Sequence, residues 1–441
     1  MTELPACTDG MCSGSPASES GTADVATSTA TDDGMGPSGS ATGSTVDGET
    51  STPAMCGDGD LGADELCDDG NLLDGDGCNA DCQPSLRILA HTQFDGPAGG
   101  RDIARTIGVS DLGQIVFGGS IEDFGGPVGI VRGLDAGLVQ VWTETLDFPV
   151  TDSSVNDVAV EESGYAAVVG TIGTGDTRRA VAVYYDPEGN PAWSDLVGDG
   201  AMADLPAEGE AVALDNFGSI FVGGFAGLTD AEAARITRYV PNGPPEQADD
   251  LLPVAKGVNE FVLAMTTRPP STVVYVGLRV EGGANTGIVG AFPDGGLAPV
   301  ALGGGAVAQG IATSLAGDQI IVVGSRQAEG VLWAAGYDVD FDPLWTQEFD
   351  GAVGTLHDAA VGPDGSYYVV GGVEMGAGTD MFVAHLAANG DLEFSAAHDF
   401  NGGNDSGFDI AYDPSDDTLV AAGEQQIAGA DFDAFVVRLA R

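Results

Sequence analysis

The chain has 441 residues, 68 of them acidic and 14 basic, which gives a formal net charge of -54 at neutral pH. Binding to nucleic acid or to an anionic membrane surface needs clustered Lys and Arg, so this balance excludes both partners. The 69 glycines follow no Gly-X-Y period, which excludes collagen, and no apolar run is long enough to predict a transmembrane segment.

Residues 1–54 are predicted to be a disordered leader. From Ser13 to Pro53 the chain consists mainly of Ser, Thr, Gly, Ala and Asp, without an aromatic residue, Leu or Ile. Such a segment cannot bury enough apolar surface to offset the entropy lost on ordering, so it would act as a flexible spacer. The first residues contain neither a basic nor an apolar stretch, so no signal peptide or lipoprotein segment is visible.

Residues 55–85 form a second, cysteine-rich region with few hydrophobic residues. Cysteines confined to a polar region that lacks a core indicate disulfides and therefore an oxidising compartment. Zinc is the alternative, but no histidine lies nearby and the spacing gives no paired Cys-x-x-Cys knuckles. The sequence does not choose among the pairings, and the predicted disulfide cysteines are Cys7, Cys12, Cys56, Cys67, Cys78 and Cys82.

The same region is rich in side-chain oxygens, which has two interpretations. Calcium prefers six to eight oxygen ligands on loops, although the order of residues here does not fit an EF-hand. Asp-Gly and Asn-rich stretches also simply form turns, and we favour that interpretation. The oxygen-bearing residues are Asp58, Asp60, Glu65, Asp68, Asp69, Asn71, Asp74 and Asp76.

Residues 86–441 contain a repeat of about fifty residues, whose marker is an apolar strand that ends on glycine. A strand precedes each marker, a third strand follows it, and a fourth strand often carries an aromatic residue, as at Trp142, Trp193, Trp345 and Phe394. Four short strands in such a unit are typical of a propeller blade, so the sequence predicts a seven-bladed β-propeller. The seven markers end at Gly119, Gly170, Gly224, Gly277, Gly324, Gly372 and Gly423.

The two ends of this region predict how the ring closes. The last unit stops after its third strand, Asp433–Leu439, whereas the region begins with an unpaired fourth strand, Arg87–Gly96. Pairing these two strands completes the seventh blade and removes an exposed sheet edge. Blades three and four match the repeat least well, because their fourth strands lack the aromatic residue.

Two parts of the chain resemble known families. The segments Gly378–Leu386 and Asp431–Leu439 resemble the bacterial β-propeller repeat, in which Gly-x-Asp-x-Phe-Val-x-x-Leu follows the glycine-ended strand. The spaced motif Cys56-Gly-Asp-Gly59, Cys67-Asp-Asp-Gly-Asn71, Cys78 and Cys82 resembles the Myxococcus cysteine-rich repeat. The second resemblance implies an exported or cell-surface protein of the myxobacterial kind, and neither resemblance implies a ligand.

An acidic residue recurs near the start of each predicted first strand, except in blade five, where Gln309 takes its place. First strands line the central channel of a propeller, so these positions predict a ring of carboxylates at one depth. The ring would either bind a cation such as calcium or accept hydrogen bonds from backbone N–H groups of the neighbouring blade. Its members are Asp102, Asp157, Glu210, Glu260, Asp358 and Asp409.

The sequence favours a non-catalytic, monomeric binding protein that presents a propeller on an acidic leader to a protein, a glycan or a cation. Its four histidines fall at different strand positions, and neither a Gly-x-Ser-x-Gly nor a His-Glu-x-x-His motif occurs. The alternative is an extracellular lyase or hydrolase that uses channel carboxylates. Paired carboxylates at one depth beside a channel His or Tyr would favour that alternative.

Overall fold

The predicted leader, together with Cys7 and Cys12, lies outside the residues that the structure describes. The structure is a computed structural model that describes residues 56–58, 61, 65–72, 77–146, 152–197, 206–227, 232–240, 248–251, 258–292, 299–326, 330–376 and 378–441. Within these residues the helical structure is limited to one 3-10 turn, Gly175–Thr177. No helix there could cross a membrane.

The strands that follow the first strand of the chain form successive four-stranded antiparallel units, which confirms the predicted propeller blades. Blade 1 contains β2 (Ile103–Val109), β3 (Ile115–Asp123), β4 (Gly126–Leu134) and β5 (Gln140–Thr145). Blade 2 contains β6 (Ser153–Val160), β7 (Ala166–Ile172), β8 (Arg179–Tyr185) and β9 (Pro191–Leu196). Blade 3 contains β10 (Ala207–Leu214), β11 (Ile220–Ala226), β12 (Ala233–Tyr239) and β13 (Ala248–Leu251). Blade 4 contains β14 (Val258–Arg268), β15 (Thr272–Glu281), β16 (Ala284–Phe292) and β17 (Val300–Ala301).

Blades 5 and 6 share one long strand, β21 (Pro343–Val361), which the sequence did not predict. Its first part pairs with blade 5, namely β18 (Ala306–Thr313), β19 (Gln319–Arg326) and β20 (Val331–Asp338). Its second part begins blade 6, which continues through β22 (Tyr367–Met375), β23 (Gly378–Leu386) and β24 (Leu392–His398). The three consecutive strands of blade 7 are β25 (Asp405–Asp413), β26 (Thr418–Ala428) and β27 (Asp431–Ala440).

The N-terminal strand β1 (Ile88–Phe94) closes the ring by pairing with β27. This confirms the predicted pairing of the two strands, which is antiparallel with Ile88 opposite Leu439 and Phe94 opposite Ala434. Immediately before β1, the fully buried Leu86 donates its backbone N–H to the carbonyl oxygen of Ala440 over 2.8 Å. The first strand of the propeller is therefore held by the last one.

The hydrophobic core lies between the blades. Seven apolar clusters occur among the described residues, and each fills the junction of two adjacent blades, including the junction of blade 7 with blade 1. Small and β-branched residues of the first three strands dominate these clusters, because strands buried on both faces need apolar residues on both. Each blade therefore depends on both neighbours for its burial.

The aromatic residues of the fourth strands pack between blades. Trp142 lies against Gly133 of its own blade and Gly189 of the next, and Trp345 lies against Gly336 and Gly390 in the same way. A Cβ atom built on any of these glycines would approach the indole to within 2.2–2.5 Å. The two tryptophans thus fill space that glycine leaves open, as aromatic residues do beside glycines in sheets.

The glycines that mark the repeat are required by a β-bulge. In blade 5, Gly324 pairs with Ala308, and the next residue, Gln309, has no partner on β19. A Cβ on Gly324 would lie 1.9 Å from the carbonyl oxygen of Val307, so no other residue fits. The same arrangement recurs in all seven blades, with Gly371 rather than Gly372 in blade 6, at Gly119, Gly170, Gly224, Gly277, Gly324, Gly371 and Gly423.

Two disulfides join the four cysteines of the second region, Cys56 to Cys82 and Cys67 to Cys78. Nearby, the carboxylate of Asp68 accepts backbone N–H groups from Gly57, Asp58 and Gly70. Asp69 accepts them from Asn71 and Cys78. The carboxylates of Asp68 and Asp69 therefore accept hydrogen bonds that stabilise the turns of this region, as expected for its composition.

We expect the unreduced, exported protein to contain no reactive thiol. Alkylation with iodoacetamide followed by mass spectrometry should label Cys56, Cys67, Cys78 and Cys82 only after reduction, because each sulfur is already bonded. Labelling of all four residues without reduction would contradict the disulfides and favour a metal site or a reducing compartment.

Candidate functional site: the central channel

The bulges direct seven side chains toward the axis of the ring. A bulge opposes two residues of one strand to one residue of its partner, so it re-aims the unpaired side chain. Each first strand has its bulge at the same place, and the unpaired residues are Arg105, Asn156, Glu210, Leu263, Gln309, His357 and Phe408. The residues that follow them along the seven strands are Thr106, Asp157, Ala211, Ala264, Gly310, Asp358 and Asp409.

These residues surround a cavity of 470 Å³ on the axis of the propeller. Its wall is uneven, because three aspartates lie close together on one arc, whereas the apolar Leu263, Met265 and Ile311 lie on the other. Blades 6, 7, 1 and 2 contribute Asp358, Asp409, Thr106 and Asp157 in that order, and we call this row the acidic arc. Blades 3, 4 and 5 have Ala211, Ala264 and Gly310 at the equivalent positions, and on this side the cavity is lined by Ala264 together with Glu210, Leu263 and Gln309.

The predicted ring of carboxylates at one depth was wrong in its register. Asp157, Asp358 and Asp409 occupy one position, and Glu210 and Gln309 occupy the bulge position one residue earlier. All five line the cavity, since the bulge directs two consecutive residues toward the channel. Asp102 and Glu260 do not line it, because they lie four residues before Thr106 and Ala264 at the start of their strands.

Asp102 and Glu260 have other partners. Asp102 is fully buried and accepts the backbone N–H groups of Gly96 and Glu122 over 2.5 and 2.6 Å. Glu260 accepts the Nε–H of Arg279 over 2.5 Å. Asp102, Asp95 and Asp433 also place carboxylate oxygens within 4.8 Å of one another, a cluster that the sequence did not indicate. Burial, followed by the neighbouring carboxylates, raises the pKa of Asp433 to about 6.

The acidic arc connects neighbouring blades through hydrogen bonds. Asp409 of blade 7 accepts the backbone N–H of Ile107 in blade 1 over 2.7 Å. The hydroxyl of Thr106 accepts the N–H of Val158 and donates to Asp157, both over 3.0 Å. Asp157 in turn accepts the N–H of Val212 in blade 3 over 2.7 Å. These bonds satisfy backbone N–H groups of β2, β6 and β10, which lie at the inner edge of their sheets and have a strand partner on one side only.

The carboxyl groups of the channel hold protons more tightly than ordinary carboxyl groups. Burial, followed by the charge of Asp409, raises the pKa of Asp157 to about 7. Burial also raises the pKa of Asp358 well above its usual range, and Asp358 shares a hydrogen bond with Asp409, whose pKa is raised as well. One proton shared by this pair removes the repulsion between two adjacent carboxylates.

A single arginine enters the channel. Arg105 is exposed to the channel water and makes neither an ion pair nor a hydrogen bond with another described residue. Its charge contributes to lowering the pKa of His357 on blade 6, which burial brings to about 4. The same charge acts on Glu210 on blade 3, whose pKa burial and Glu208 raise to about 8. Arg105 therefore influences residues on both sides of the axis.

Arg105, Asn156 and Glu210 also line a second cavity of 390 Å³. It lies toward the starts of the first strands, where Arg178 pairs with Glu208 over 3.0 Å and with Glu232 over 2.5 Å. Arg105, Asn156 and Glu210 thus lie at the boundary between the two cavities. The sequence pattern did not single out Arg105, Asn156 and His357. In the structure, each of them lies fourteen residues before the glycine that pairs at its bulge, and Glu210 has the same spacing.

Comparison with known proteins identifies the fold. No family model matches the chain, and no curated protein matches it. Among solved structures, the WD40 repeats of RRP9 match with a TM-score of 0.52 at 12% identity, covering 80% of this chain and 99% of that one. The Dos1 propeller matches at 0.51 and 10%, covering 79% and 95%. Hydrazine synthase of Kuenenia stuttgartiensis matches at 0.52 and 11%, covering 75% and 95%.

The chain is thus an all-β protein of the propeller class, with seven blades, a closed ring and a polar channel. Identities this low support the fold alone. The resemblance of the cysteine region to the Myxococcus repeat, and the domain limits 1–54, 55–85 and 86–441, stay predictions.

We expect Asp358→Asn to stabilise the protein at pH 8 and to leave its stability nearly unchanged at pH 3, below the pKa of an unfolded aspartate. A carboxyl whose folded pKa is raised destabilises the folded state as pH rises from the unfolded pKa to the folded one, whereas Asn stays neutral. The gain at pH 8 should be about 1–3 kcal/mol in urea unfolding. Asp111→Asn on an exposed turn controls for the lost charge. Equal destabilisation by Asp358→Asn at both pH values would contradict the protonated pair.

Proposed function

We propose that the chain is a non-catalytic, exported or cell-surface binding protein whose ligand site is the central channel. The observation that carries this proposal is the uneven wall of the 470 Å³ cavity. A volume of this size is in the range of small-molecule sites, and the wall combines a few convergent polar groups with an apolar face formed by Leu263, Met265 and Ile311.

Two features support export. The disulfides Cys56–Cys82 and Cys67–Cys78 persist in oxidising compartments and are rare in the cytosol. The net charge of -54 favours solubility and opposes adhesion to anionic surfaces. We propose that the protein acts as a monomer outside the cell or on its outer surface, with a protein, a glycan or a cation as its partner.

Calcium is the proposed cation, and the acidic arc is its proposed site in the channel. Asp157, Asp358 and Asp409 supply oxygens, the donor type that calcium prefers, and Glu210 and Gln309 lie at the bulge position of their own strands. Calorimetric titration of calcium into the wild type and the Asp358→Asn, Asp409→Asn double variant tests this. Binding by the wild type alone supports the site, and the same result for both proteins excludes it.

A ligand screen on the full chain tests the binding function. Glycans, calcium and small metabolites are offered to the wild type and to Ala264→Phe, which places a ring at a position that lines the cavity. Ala136→Phe on an exposed turn is the matched control. We expect ligands to bind the wild type and Ala136→Phe without chemical change, and Ala264→Phe to lose them. Ligands that bind all three proteins equally would exclude the channel.

The second candidate function is a hydrolase or lyase that uses the channel carboxylates. The pair Asp358 and Asp409, with His357 next to it in sequence and lining the same cavity, is the arrangement that would favour an enzyme. A raised pKa suits a general acid. Product formation from polysaccharide or ester substrates that Asp358→Asn abolishes, while the variant stays folded, would favour this function over binding.

A further inference from the structure

The channel presents opposite charges next to each other on one wall. Arg105 immediately precedes Thr106, which lies at the centre of the acidic arc between Asp409 and Asp157. The guanidinium group has no ion pair among the described residues and is exposed to the channel water. In a chain with 14 basic residues among 441, an arginine that lines a 470 Å³ cavity without an ion pair among the described residues requires an explanation.

The carboxyl groups of the acidic arc have oxygen atoms available to accept hydrogen bonds from a ligand. Asp157 and Asp409 use one oxygen each for the backbone of the next blade, through Val212 and Ile107. Asp358 has no such bond to the next blade among the described residues and is joined to Asp409 instead. A positively charged donor placed against the arc would replace the shared proton and remove the repulsion between the carboxylates.

Across from the acidic arc, the wall contains an apolar patch beside Glu210 and Gln309. Leu263, Met265 and Ile311 belong to blades 4 and 5 and face the cavity across from the acidic arc. Ala264 lines the cavity beside them. A side chain of the size of leucine could be buried there, and each buried methylene group contributes about 0.8 kcal/mol.

We propose that the channel binds a small zwitterion of the α-amino acid class with an apolar side chain. The carboxylate pairs with the guanidinium of Arg105, the ammonium group donates to the acidic arc, and the side chain packs on Leu263, Met265 and Ile311. Arginine suits this role because its planar group donates to both oxygens of a carboxylate. The inference rests on the proposed binding function and names the ligand class for the same site.

Calorimetry on the full chain with three probes tests the zwitterion. L-leucine carries both charges, 3-methylbutylamine lacks the carboxylate, and 4-methylpentanoate lacks the ammonium group. We expect saturable one-to-one binding of leucine, at least tenfold tighter than binding of either analogue. Absence of leucine binding, or equal binding of the amine, overturns the proposal. Channel-dependent binding of another ligand in the screen would then leave the binding function standing.

Substitutions of Arg105 test whether its guanidinium group binds the carboxylate of the ligand. Arg105→Gln should weaken leucine binding at least tenfold and leave the amine unchanged, while Arg105→Lys should give an intermediate effect because it keeps the charge. Arg101→Gln is the control, since Arg101 pairs with Glu424 over 2.5 Å outside the channel. Unchanged leucine binding in Arg105→Gln overturns the assignment. If that variant unfolds, the three probes on the wild type still decide whether both charges are needed.

Discussion

Deletion of residues 1–96 should unfold the propeller, whereas deletion of residues 1–84 should leave it folded. The longer deletion removes β1, the only partner of the outer edge of β27 among the described strands. It also removes the fully buried Leu86 and half-buried side chains of β1 that pack on blades 6, 7 and 1. Burial of a large apolar side chain contributes about 1.5–3 kcal/mol, so the loss should exceed about 5 kcal/mol, which is comparable to the stability of a whole domain.

The two truncated proteins are compared with each other by urea unfolding and by gel filtration. The longer deletion should give no cooperative transition, or should associate through the exposed edge of β27. The shorter deletion removes both disulfides and the exposed ion pair of Arg87 with Asp81, which is worth little. Equal unfolding midpoints for the two truncations would show that β1 does not close the ring.

Gly324→Ala should destabilise the protein by about 3 kcal/mol, a large effect for one methyl group. The new Cβ would lie 1.9 Å from the carbonyl oxygen of Val307, so β18 and β19 would have to separate at the bulge. Because the bulge directs Gln309 into the channel, the same change should also alter ligand binding. Urea unfolding measures the first effect, and the ligand screen measures the second.

Gly303→Ala is the control for this substitution. A Cβ on Gly303 meets no atom within 4 Å, so the variant should be within about 0.5 kcal/mol of the wild type or slightly more stable. Similar midpoints for Gly324→Ala and Gly303→Ala would contradict the close approach at the bulge and, with it, the requirement for glycine at the end of each marker strand.

The repeat predicted the fold well, because strand spacing and the split seventh unit depend on local sequence. Blades 3 and 4, which lack the fourth-strand aromatic residue, have the short fourth strands β13 and β17 in the structure. The continuous strand β21 was not predicted, because the repeat assigned the end of blade 5 and the start of blade 6 to separate strands, with Gly351 and Gly354 between them. Both glycines adopt positive φ within it, which a turn would also have required.

The candidate site was predicted only in part. Acidic residues in the first strands indicated the channel, and Asp157, Asp358 and Asp409 do lie together. A bulge inserts one extra residue into a strand, and the amino-acid composition does not reveal where it lies. Asp102 and Glu260 were therefore aligned with residues that occupy a different position in their strands. Arg105 was missed because a repeat reveals what the blades share, whereas the chemistry of the channel depends on differences between blades.

The most direct test of the account is the reactivity of cysteines placed at two consecutive positions of β18. Gln309 faces the channel at the bulge, and Ala308 is fully buried between blades 4 and 5. Native cysteines 56, 67, 78 and 82 are paired, and mass spectrometry assigns the labelled peptide. A small methanethiosulfonate should modify Gln309→Cys rapidly in the folded protein and Ala308→Cys only after unfolding. Equal rates at the two positions, or faster modification of Ala308→Cys, would contradict the bulge and the open channel.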